Sequence, residues 1–161
     1  MKNLKYLLAC FCILFLSSCT NEQKVGLANP WTDCLQDMNC AKKIAGFNFP
    51  LKLSNYTIRA MQDMIEITYP IDETRYVTIR KSQKYNGNGD TSGDYNNYPV
   101  SKKIFINDVP FYIRGDNDID KIYVMNFSAS EGYYSARCEN GMTVDEIKGI
   151  YEIIRKADES K

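Results

Sequence analysis

The amino-acid sequence predicts an α+β fold: an N-terminal helix, an antiparallel meander of about six strands, and a C-terminal helix packed on one face of the sheet. Apolar residues recur at three- and four-residue spacing near both ends of the domain, and they alternate with polar residues between these ends. The alternating segments follow one another through short turns, which favours antiparallel pairing over parallel strands joined by crossover helices. A curved half-barrel is one form that such a meander can take.

The N-terminal helix is predicted over residues 33–46, with Asp33 as its N-cap and Gly46 as the residue that ends it. Its apolar face comprises Leu35, Met38, Ala41 and Ala45. The C-terminal helix is predicted over residues 143–157, where Thr143 and Glu146 have the spacing of a capping box.

Alternation of apolar and polar residues predicts the strands between the two helices. The predicted strands are residues 64–69, 75–81, 102–107, 109–114, 121–128 and 133–138, with residues 56–61 as a further candidate. Asn107-Asp108 is predicted to form a tight hairpin turn, and a second turn is expected around Ser130–Gly132.

Composition limits the function classes. The chain has 161 residues, 44% of them apolar, which fits one domain with a modest core. Lys+Arg and Asp+Glu both number 20, so no nucleic-acid partner is expected. Histidine is absent from the sequence, which excludes Ser-His-Asp hydrolysis and histidine-based zinc sites. Since no pair of carboxylates is singled out by spacing, we expect a protein that is not an enzyme and that needs no cofactor or metal.

The first 18 residues have the pattern of a signal peptide. Lys2 and Lys5 precede an apolar stretch of ten residues, Leu7 to Leu16, whereas a membrane-spanning helix needs about 20 apolar residues. The stretch ends in Leu16-Ser17-Ser18-Cys19, which resembles the lipobox of bacterial lipoproteins. An ordinary signal peptide followed by an unrelated cysteine is the alternative interpretation.

The lipobox resemblance implies that Cys19 carries diacylglycerol and becomes the first residue of the mature chain. Residues 19–30 would then form a flexible tether, and residues 31–158 a single globular domain. The expected location is the bacterial cell envelope, outside the cytoplasm, on the outer membrane or on the outer face of the plasma membrane.

Three of the six cysteines remain for disulfide chemistry once the leader and the lipidated Cys19 are set aside: Cys34, Cys40 and Cys138. An oxidising exterior allows two of them to pair. A continuous helix would hold Cys34 and Cys40 about 9 Å apart, so a bridge between them needs a turn or a helix that begins near Asn39. The local Cys34–Cys40 pair is favoured, with Cys138 as the alternative partner of either residue.

Residues 82–101 form the longest segment without a predicted strand or helix, and they are the candidate binding loop. Its candidate residues are Asp90, Asp94, Tyr95 and Tyr98. Asn86, Asn88, Asp90, Ser92 and Asp94 also offer oxygen ligands at alternate positions, as a calcium loop would. Thr91 and Asn97 stand where an EF-hand needs glycine and glutamate, so a cluster of polar turns is the favoured interpretation.

Two further candidate sites are weaker. One is the acidic run Asp116, Asp118 and Asp120, for which an exposed hairpin turn is the favoured interpretation. The other is a set of aromatic residues that could line a groove for peptide, lipid or glycan: Trp31, Tyr95, Tyr98, Tyr112, Tyr123, Tyr133 and Tyr134. Tyrosine is also common in half-buried strands, which is the favoured explanation for each single member.

Several motifs in order along residues 29–157 resemble a family of small secreted or lipid-anchored bacterial domains of unknown function. They are Asn29-Pro30-Trp31, Lys43–Phe47, Ile65–Tyr69, Thr78–Ser82, Ser92–Asn96 and Gly132-Tyr133. This resemblance implies no activity, substrate or cofactor. The expected function is a membrane-tethered binding module for an envelope protein, peptide or lipid. An immunity- or inhibitor-type protein is the alternative, and a carboxylate-based enzyme is a third, less favoured interpretation.

The lipid anchor can be tested by replacing Cys19 with alanine. We expect Cys19→Ala to abolish incorporation of labelled palmitate and to move the protein out of the membrane fraction, because the thiol is the only proposed attachment point. Fractionation of cells that express either form measures both effects. Continued labelling of a variant that stays in the membrane would contradict the lipidation of Cys19.

Overall fold

A computed structural model of the chain describes residues 29–49, 51–84, 90–117, 121–129 and 132–159. The predicted signal peptide, Cys19 and all but the last two residues of the predicted tether lie outside these ranges. In the described part of the chain, no helix has the length and apolarity needed to cross a membrane.

The described residues form eight strands and two helices, which confirms the α+β class. In chain order they are β1 Thr32–Leu35, α1 Met38–Ala45, β2 Thr57–Met61, β3 Met64–Pro70, β4 Tyr76–Ser82, β5 Val100–Ile106, β6 Val109–Gly115, β7 Ile122–Ala129, β8 Gly132–Met142 and α2 Val144–Glu159. The prediction of about six strands is therefore too low. The candidate strand at residues 56–61 is present as β2, and the short β1 was not predicted.

The strands form one antiparallel sheet in the order β1-β2-β3-β4-β8-β7-β6-β5. The prediction of a simple meander is therefore wrong, because β4 pairs with β8 and not with β5. Two four-stranded meanders lie side by side, and the segment after β4 must travel about 19 Å across four strand spacings to reach β5. In the described residues the sheet is open, with β1 and β5 at its edges. The half-barrel curvature stays a prediction.

Helix α1 begins five residues later than predicted. Its N-cap is Asp37, whose side chain accepts a hydrogen bond from the Asn39 backbone N–H, and not Asp33, which lies in β1. Because β1 pairs with β2, Leu35 belongs to an edge strand and is 74% exposed instead of facing the core. Gly46 ends the helix as predicted, in a left-handed conformation with φ of 83°.

The two faces of the sheet differ in polarity because successive residues of a strand point to opposite sides. The apolar face carries most of the core, and both helices contribute to it together with Phe47, Phe49, Leu51 and Leu53. Its centre is an aromatic cluster of Phe111, Phe127, Tyr134 and Tyr151, in which the Tyr151 ring of α2 meets Phe111 and Phe127 edge-on at 5.3 and 5.5 Å. Helix α2 therefore packs on this face.

Helix α2 begins with the predicted capping box. The Thr143 backbone N–H donates to Glu146 Oε2 at 2.8 Å, and the Glu146 N–H donates to Thr143 Oγ1 at 3.2 Å. Arg75, from the turn between β3 and β4, also donates to the Glu146 carboxylate and lowers the pKa of that group. The capping box thus fixes the helix start and ties it to the neighbouring turn.

Replacement of two exposed glycines by alanine tests the backbone conformations of the helices. A Cβ atom added at either position would have no other atom within 4 Å. Gly149 lies within α2, and we expect Gly149→Ala to raise the free energy of unfolding by about 0.5–1 kcal/mol, because alanine loses less backbone entropy in a helix. Gly46→Ala is the matched control. It should lower the free energy of unfolding by about 1 kcal/mol, because φ is 83° there.

Urea denaturation of both variants measures these changes. If the two substitutions changed stability in the same direction, the helical conformation assigned to Gly149 or the left-handed conformation assigned to Gly46 would be wrong.

Candidate functional site: the polar sheet face and its strap

A single row of cross-strand partners runs across seven strands on the second face of the sheet. From β2 to β5, the row comprises Arg59, Glu66, Arg80, Ser135, Asn126, Tyr112 and Lys103, each opposite the next. Directly opposed residues in an antiparallel sheet lie on the same face. This face, called the polar face below, therefore concentrates charged and amide groups along one line.

The Glu66 carboxylate is the buried centre of this row, with 2% of the residue exposed. Arg59 Nε donates to one carboxylate oxygen at 2.8 Å, and Arg80 Nε donates to the other at 2.7 Å. Such charge-assisted hydrogen bonds offset the cost of removing the carboxylate from water. The Trp31 ring covers both guanidinium groups: its centroid lies 5.5 Å from Arg59 Cζ and 5.1 Å from Arg80 Cζ. The ion cluster is thus stacked against an aromatic ring, a cation–π arrangement.

Residues 90–98, called the strap below, cross the polar face on the way from β4 to β5. Arg80 Nη1 donates to the Thr91 carbonyl oxygen at 3.2 Å. Arg114 donates to the Asp94 carbonyl oxygen at 3.1 Å and forms an ion pair with Asp90 at 2.9 Å. Two arginines of the sheet thus hold the strap, of which Thr91, Ser92 and Asp94 are buried.

The alternating polar residues of the strap form successive side-chain turns. The Ser92 N–H donates to Asp90 Oδ1 at 2.9 Å, the Asp94 N–H to Ser92 Oγ at 3.1 Å, and the Asn96 N–H to Asp94 Oδ1 at 2.9 Å. This is the geometry of Asx and Ser turns, which the turn interpretation of the sequence predicted. No group of three or more potential metal-ligating side chains occurs among the described residues, and Asn86 and Asn88 lie outside them.

Four buried polar atoms near the contact between the strap and the sheet lack a hydrogen-bond partner within the described structure: Thr91 Oγ1, Arg114 Nε, Asn126 Oδ1 and Ser135 Oγ. Asn126 and Ser135 are direct cross-strand partners, and Arg80 lies opposite Ser135. Donors and acceptors gathered at a buried position can hydrogen-bond a small polar molecule.

A cleft of about 300 Å³ opens on the polar face. It is lined by Thr68, Thr74, Tyr76, Thr78, Arg137, Cys138, Glu139 and Asn140. Arg137 pairs with Glu139 at 3.1 Å and lies 3.9 Å from the Asp94 carboxylate of the strap. The cleft therefore offers hydroxyl groups and a partly neutralised guanidinium group, which suits a small polar ligand better than an apolar one.

Three of the four candidate loop residues hold the strap in place. Asp90 pairs with Arg114, and Tyr98 donates its hydroxyl to Asp94 Oδ2 at 3.0 Å while its ring stacks on Tyr123 at 5.1 Å. Tyr95 alone points outward, with 95% of the residue exposed. The sequence predicted that all four residues belong to one binding loop. In the structure three of them fix the strap, and only Tyr95 is exposed for contact with another molecule.

Cys34 and Cys40 lie at disulfide distance, with their sulfur atoms 2.06 Å apart. Because α1 begins at Met38, the chain turns between the two residues, as the spacing required. Cys138 is free and buried, and burial raises the pKa of its thiol. A protonated, buried thiol is a poor nucleophile and a poor metal ligand.

The predicted aromatic set does not line one groove. Tyr134 belongs to the apolar face, whereas Tyr133 and Tyr112 lie on the other side of the sheet. Trp31 covers the arginine pair, and Tyr123 donates its hydroxyl to Asp116 at 3.1 Å. Asp118 and Asp120 lie outside the described residues, so the acidic run stays a prediction.

An exposed patch lies at the outer end of the polar row, on the hairpin of β5 and β6. Phe105 and Tyr112 are 67% and 58% exposed, and Lys103 Nζ lies 5.3 and 5.6 Å from their ring centroids. These three residues are called the aromatic–lysine patch below. The hairpin turn beneath it is the predicted Asn107-Asp108 pair, in which both residues have positive φ, 49° and 62°.

The buried charges were missed as site residues, although the alternation of the strands contained a signal for them. Lys81 follows Val77 and Ile79 at two-residue spacing in β4, so its side chain is expected on the same apolar face. Glu66 lies between two isoleucines of that face in β3, so its side chain is expected on the opposite face. The alternation within a strand predicts which face a side chain lies on. It does not predict the partner of that side chain, because the opposing residue depends on which strands pair.

Replacement of Gly93 tests whether the strap is held as described. A Cβ atom at Gly93 would lie 2.1 Å from Arg80 Nη1, and φ there is 65°. We expect Gly93→Ala to lower the free energy of unfolding by about 2–4 kcal/mol and to increase hydrogen exchange in the strap, because strain and overpacking add.

Gly46→Ala again serves as the control, because it introduces a similar positive-φ strain with no atom within 4 Å of the new Cβ. A loss of stability at Gly93 no larger than that at Gly46 would show that the contact between the strap and Arg80 contributes nothing.

Comparisons with known proteins gave no match: no family model, no curated protein and no solved structure matches this chain. What the site can do is therefore inferred from its own geometry and charge.

Proposed function

We propose that this chain is a lipid-anchored protein of the bacterial cell envelope, whose extracytoplasmic domain binds a partner protein through the aromatic–lysine patch. The single observation that supports the binding role is the exposure of Phe105 and Tyr112 around Lys103 at the outer end of the polar row. The lipobox-like sequence that ends in Cys19 supports the anchor.

The composition of the aromatic–lysine patch favours a protein partner. Aromatic side chains are enriched at the centres of protein interfaces, where they bury large areas at low entropic cost. Lys102 and Lys103 are both exposed on the edge strand β5, on opposite faces of the sheet, so this edge carries positive charge. A partner with an acidic surface would be drawn to this edge by charge complementarity.

A lipid or a large apolar ligand is a poorer fit to this domain. The apolar face of the sheet is filled by core side chains of α1, α2 and the segment that joins α1 to β2. The cleft beside Arg137 and a second one at Lys52, Ile153 and Lys156 measure about 300 and 400 Å³, at the lower end of the volumes typical of ligand sites. No catalytic step, cofactor or metal is part of the proposal.

The proposed tether determines which surfaces a partner can reach. Residues 19–30, treated as a flexible chain, would span roughly 20 Å between the lipid on Cys19 and the domain. Trp31 and β1 begin the domain at one edge of the sheet, whereas β5 with the aromatic–lysine patch forms the opposite edge. The patch would therefore be presented away from the point of attachment.

An immunity- or inhibitor-type protein is the second candidate. The observation that favours it is the polar face itself, where the buried Glu66 carboxylate pairs with Arg59 and Arg80, and Arg114 pairs with Asp90 of the strap. These ion pairs hold the side chains of a charged surface in place. Rigid, charged surfaces suit tight and specific neutralisation of one partner. The first candidate binds through the aromatic–lysine patch and the second through the charged polar face. They also differ in whether binding abolishes an activity of the partner.

Crosslinking in intact envelopes tests the aromatic–lysine patch. We expect Tyr112→Ala to reduce capture of the partner about tenfold or more relative to the unmodified chain, because loss of a central aromatic contact costs about 1.4 kcal/mol or more. Quantitative mass spectrometry of the captured proteins measures the ratio.

Tyr76→Ala is the matched control, since Tyr76 is 59% exposed and Tyr112 is 58% exposed. Tyr76 lies in β4 and lines the cleft, so it is separate from the patch. Equal capture by both variants, or a loss with Tyr76→Ala alone, would contradict binding through the patch.

A further inference from the structure

Lys81 is a charged residue at the centre of the apolar face. Its cross-strand partners are Ile65 and Tyr134, and its side chain is 1% exposed. The Nζ atom lies 5.3 Å from the ring centroids of Phe49 and Tyr134 and 5.9 Å from that of Phe47. The amine is therefore enclosed by three aromatic rings and separated from bulk water.

Asp158 supplies a carboxyl group to this cage from the last turn of α2. Its Oδ1 atom lies 2.9 Å from Lys81 Nζ, and its Oδ2 atom accepts a hydrogen bond from the Tyr134 hydroxyl. The carboxyl group, 14% exposed, is therefore held at both oxygens, with the amine beside one and the phenol beside the other.

This arrangement brings together the reactants of an amide bond. A buried ion pair gains little net stability, because its attraction is offset by the loss of hydration. An amine and a carboxyl group together contain the atoms of one amide bond and one water molecule. Groups fixed at such a distance by a folded chain react as if at very high concentration, since the entropy of bringing them together has already been lost.

We propose that Lys81 and Asp158 are joined after folding by an intramolecular amide bond. Lys81 Nζ forms a bond to Asp158 Cγ, and the bond from Cγ to the acid hydroxyl oxygen breaks. That hydroxyl leaves with one amine proton as a water molecule, so no oxidant, metal or further reactant is required. Asp158 Oδ2 becomes the amide oxygen, and the Tyr134 hydroxyl stabilises the negative charge that develops on it.

The bond would fasten α2 to β4 at a sequence separation of 77, as their hydrogen bond already does non-covalently. It would therefore protect the C-terminal helix against unfolding, which suits a domain exposed outside the cell. The inference does not depend on the proposed function, because it rests on contacts within the apolar face.

Mass spectrometry of the folded full-length chain tests the bond. Relative to a Lys81→Arg variant prepared in the same way, the unmodified chain should be lighter than the substitution alone requires by the mass of one water molecule. Proteolysis should then release a branched peptide in which the segment with Lys81 is joined to the segment with Asp158. Asp158→Ala, which removes the acid and keeps the lysine, should also retain the full mass.

The chain contains a matched control pair. Lys84 Nζ lies 2.5 Å from Asp63 Oδ2, but the lysine side chain is 68% exposed and should stay unlinked. Tyr134→Phe should slow the loss of water in refolded protein. Retention of the full mass by the unmodified chain after prolonged incubation, or equal linkage of Lys84 to Asp63, would overturn the inference.

Discussion

The buried carboxylate of Glu66 is the interaction on which the arrangement of the polar face depends. Its two oxygens accept hydrogen bonds from Arg59 and Arg80, so three strands are joined by one ion cluster. Arg80 then has a second guanidinium nitrogen free to hold the strap at Thr91, and Trp31 closes the cluster from outside. Without the carboxylate, two arginines would face each other across β3 with no compensating charge, and no ion pair would fix Arg80, which donates to the strap at Thr91.

The strand order explains why this face needs a strap. Because β8 lies beside β4, the chain leaves β4 at the middle of the sheet and must reach the far edge before it can form β5. The helices occupy the apolar side, so the crossing lies on the polar side, where Arg80 and Arg114 hold it. The crossing covers the middle of the polar row and leaves the aromatic–lysine patch at its outer end, which is why the proposed contact with a partner lies there.

Much of the local structure was predicted from the sequence. The capping box of Thr143 and Glu146, the Asn107-Asp108 turn and the Cys34–Cys40 pairing each depend on residues close together in the chain. The errors occurred where two local signals competed or where distant segments met. Asp37 competed with Asp33 as a helix cap, and pairing with β2 drew Thr32–Leu35 out of the predicted helix. The buried charges at Glu66 and Lys81 were missed because their partners lie on other strands or on α2.

The sequence by itself determined the α+β class and the approximate positions of seven of the eight described strands, because periodicity and turn residues are local patterns. The lipobox-like motif is also a local pattern, and the proposed lipid anchor rests on it alone. Tertiary structure alone decided the neighbours of β4, the face that each long-range charge pair occupies and the separation of the loop residues into buried anchors and the exposed Tyr95. The physical reason is that alternation assigns a side chain to a face, whereas its partner is set by strand pairing across long segments of chain.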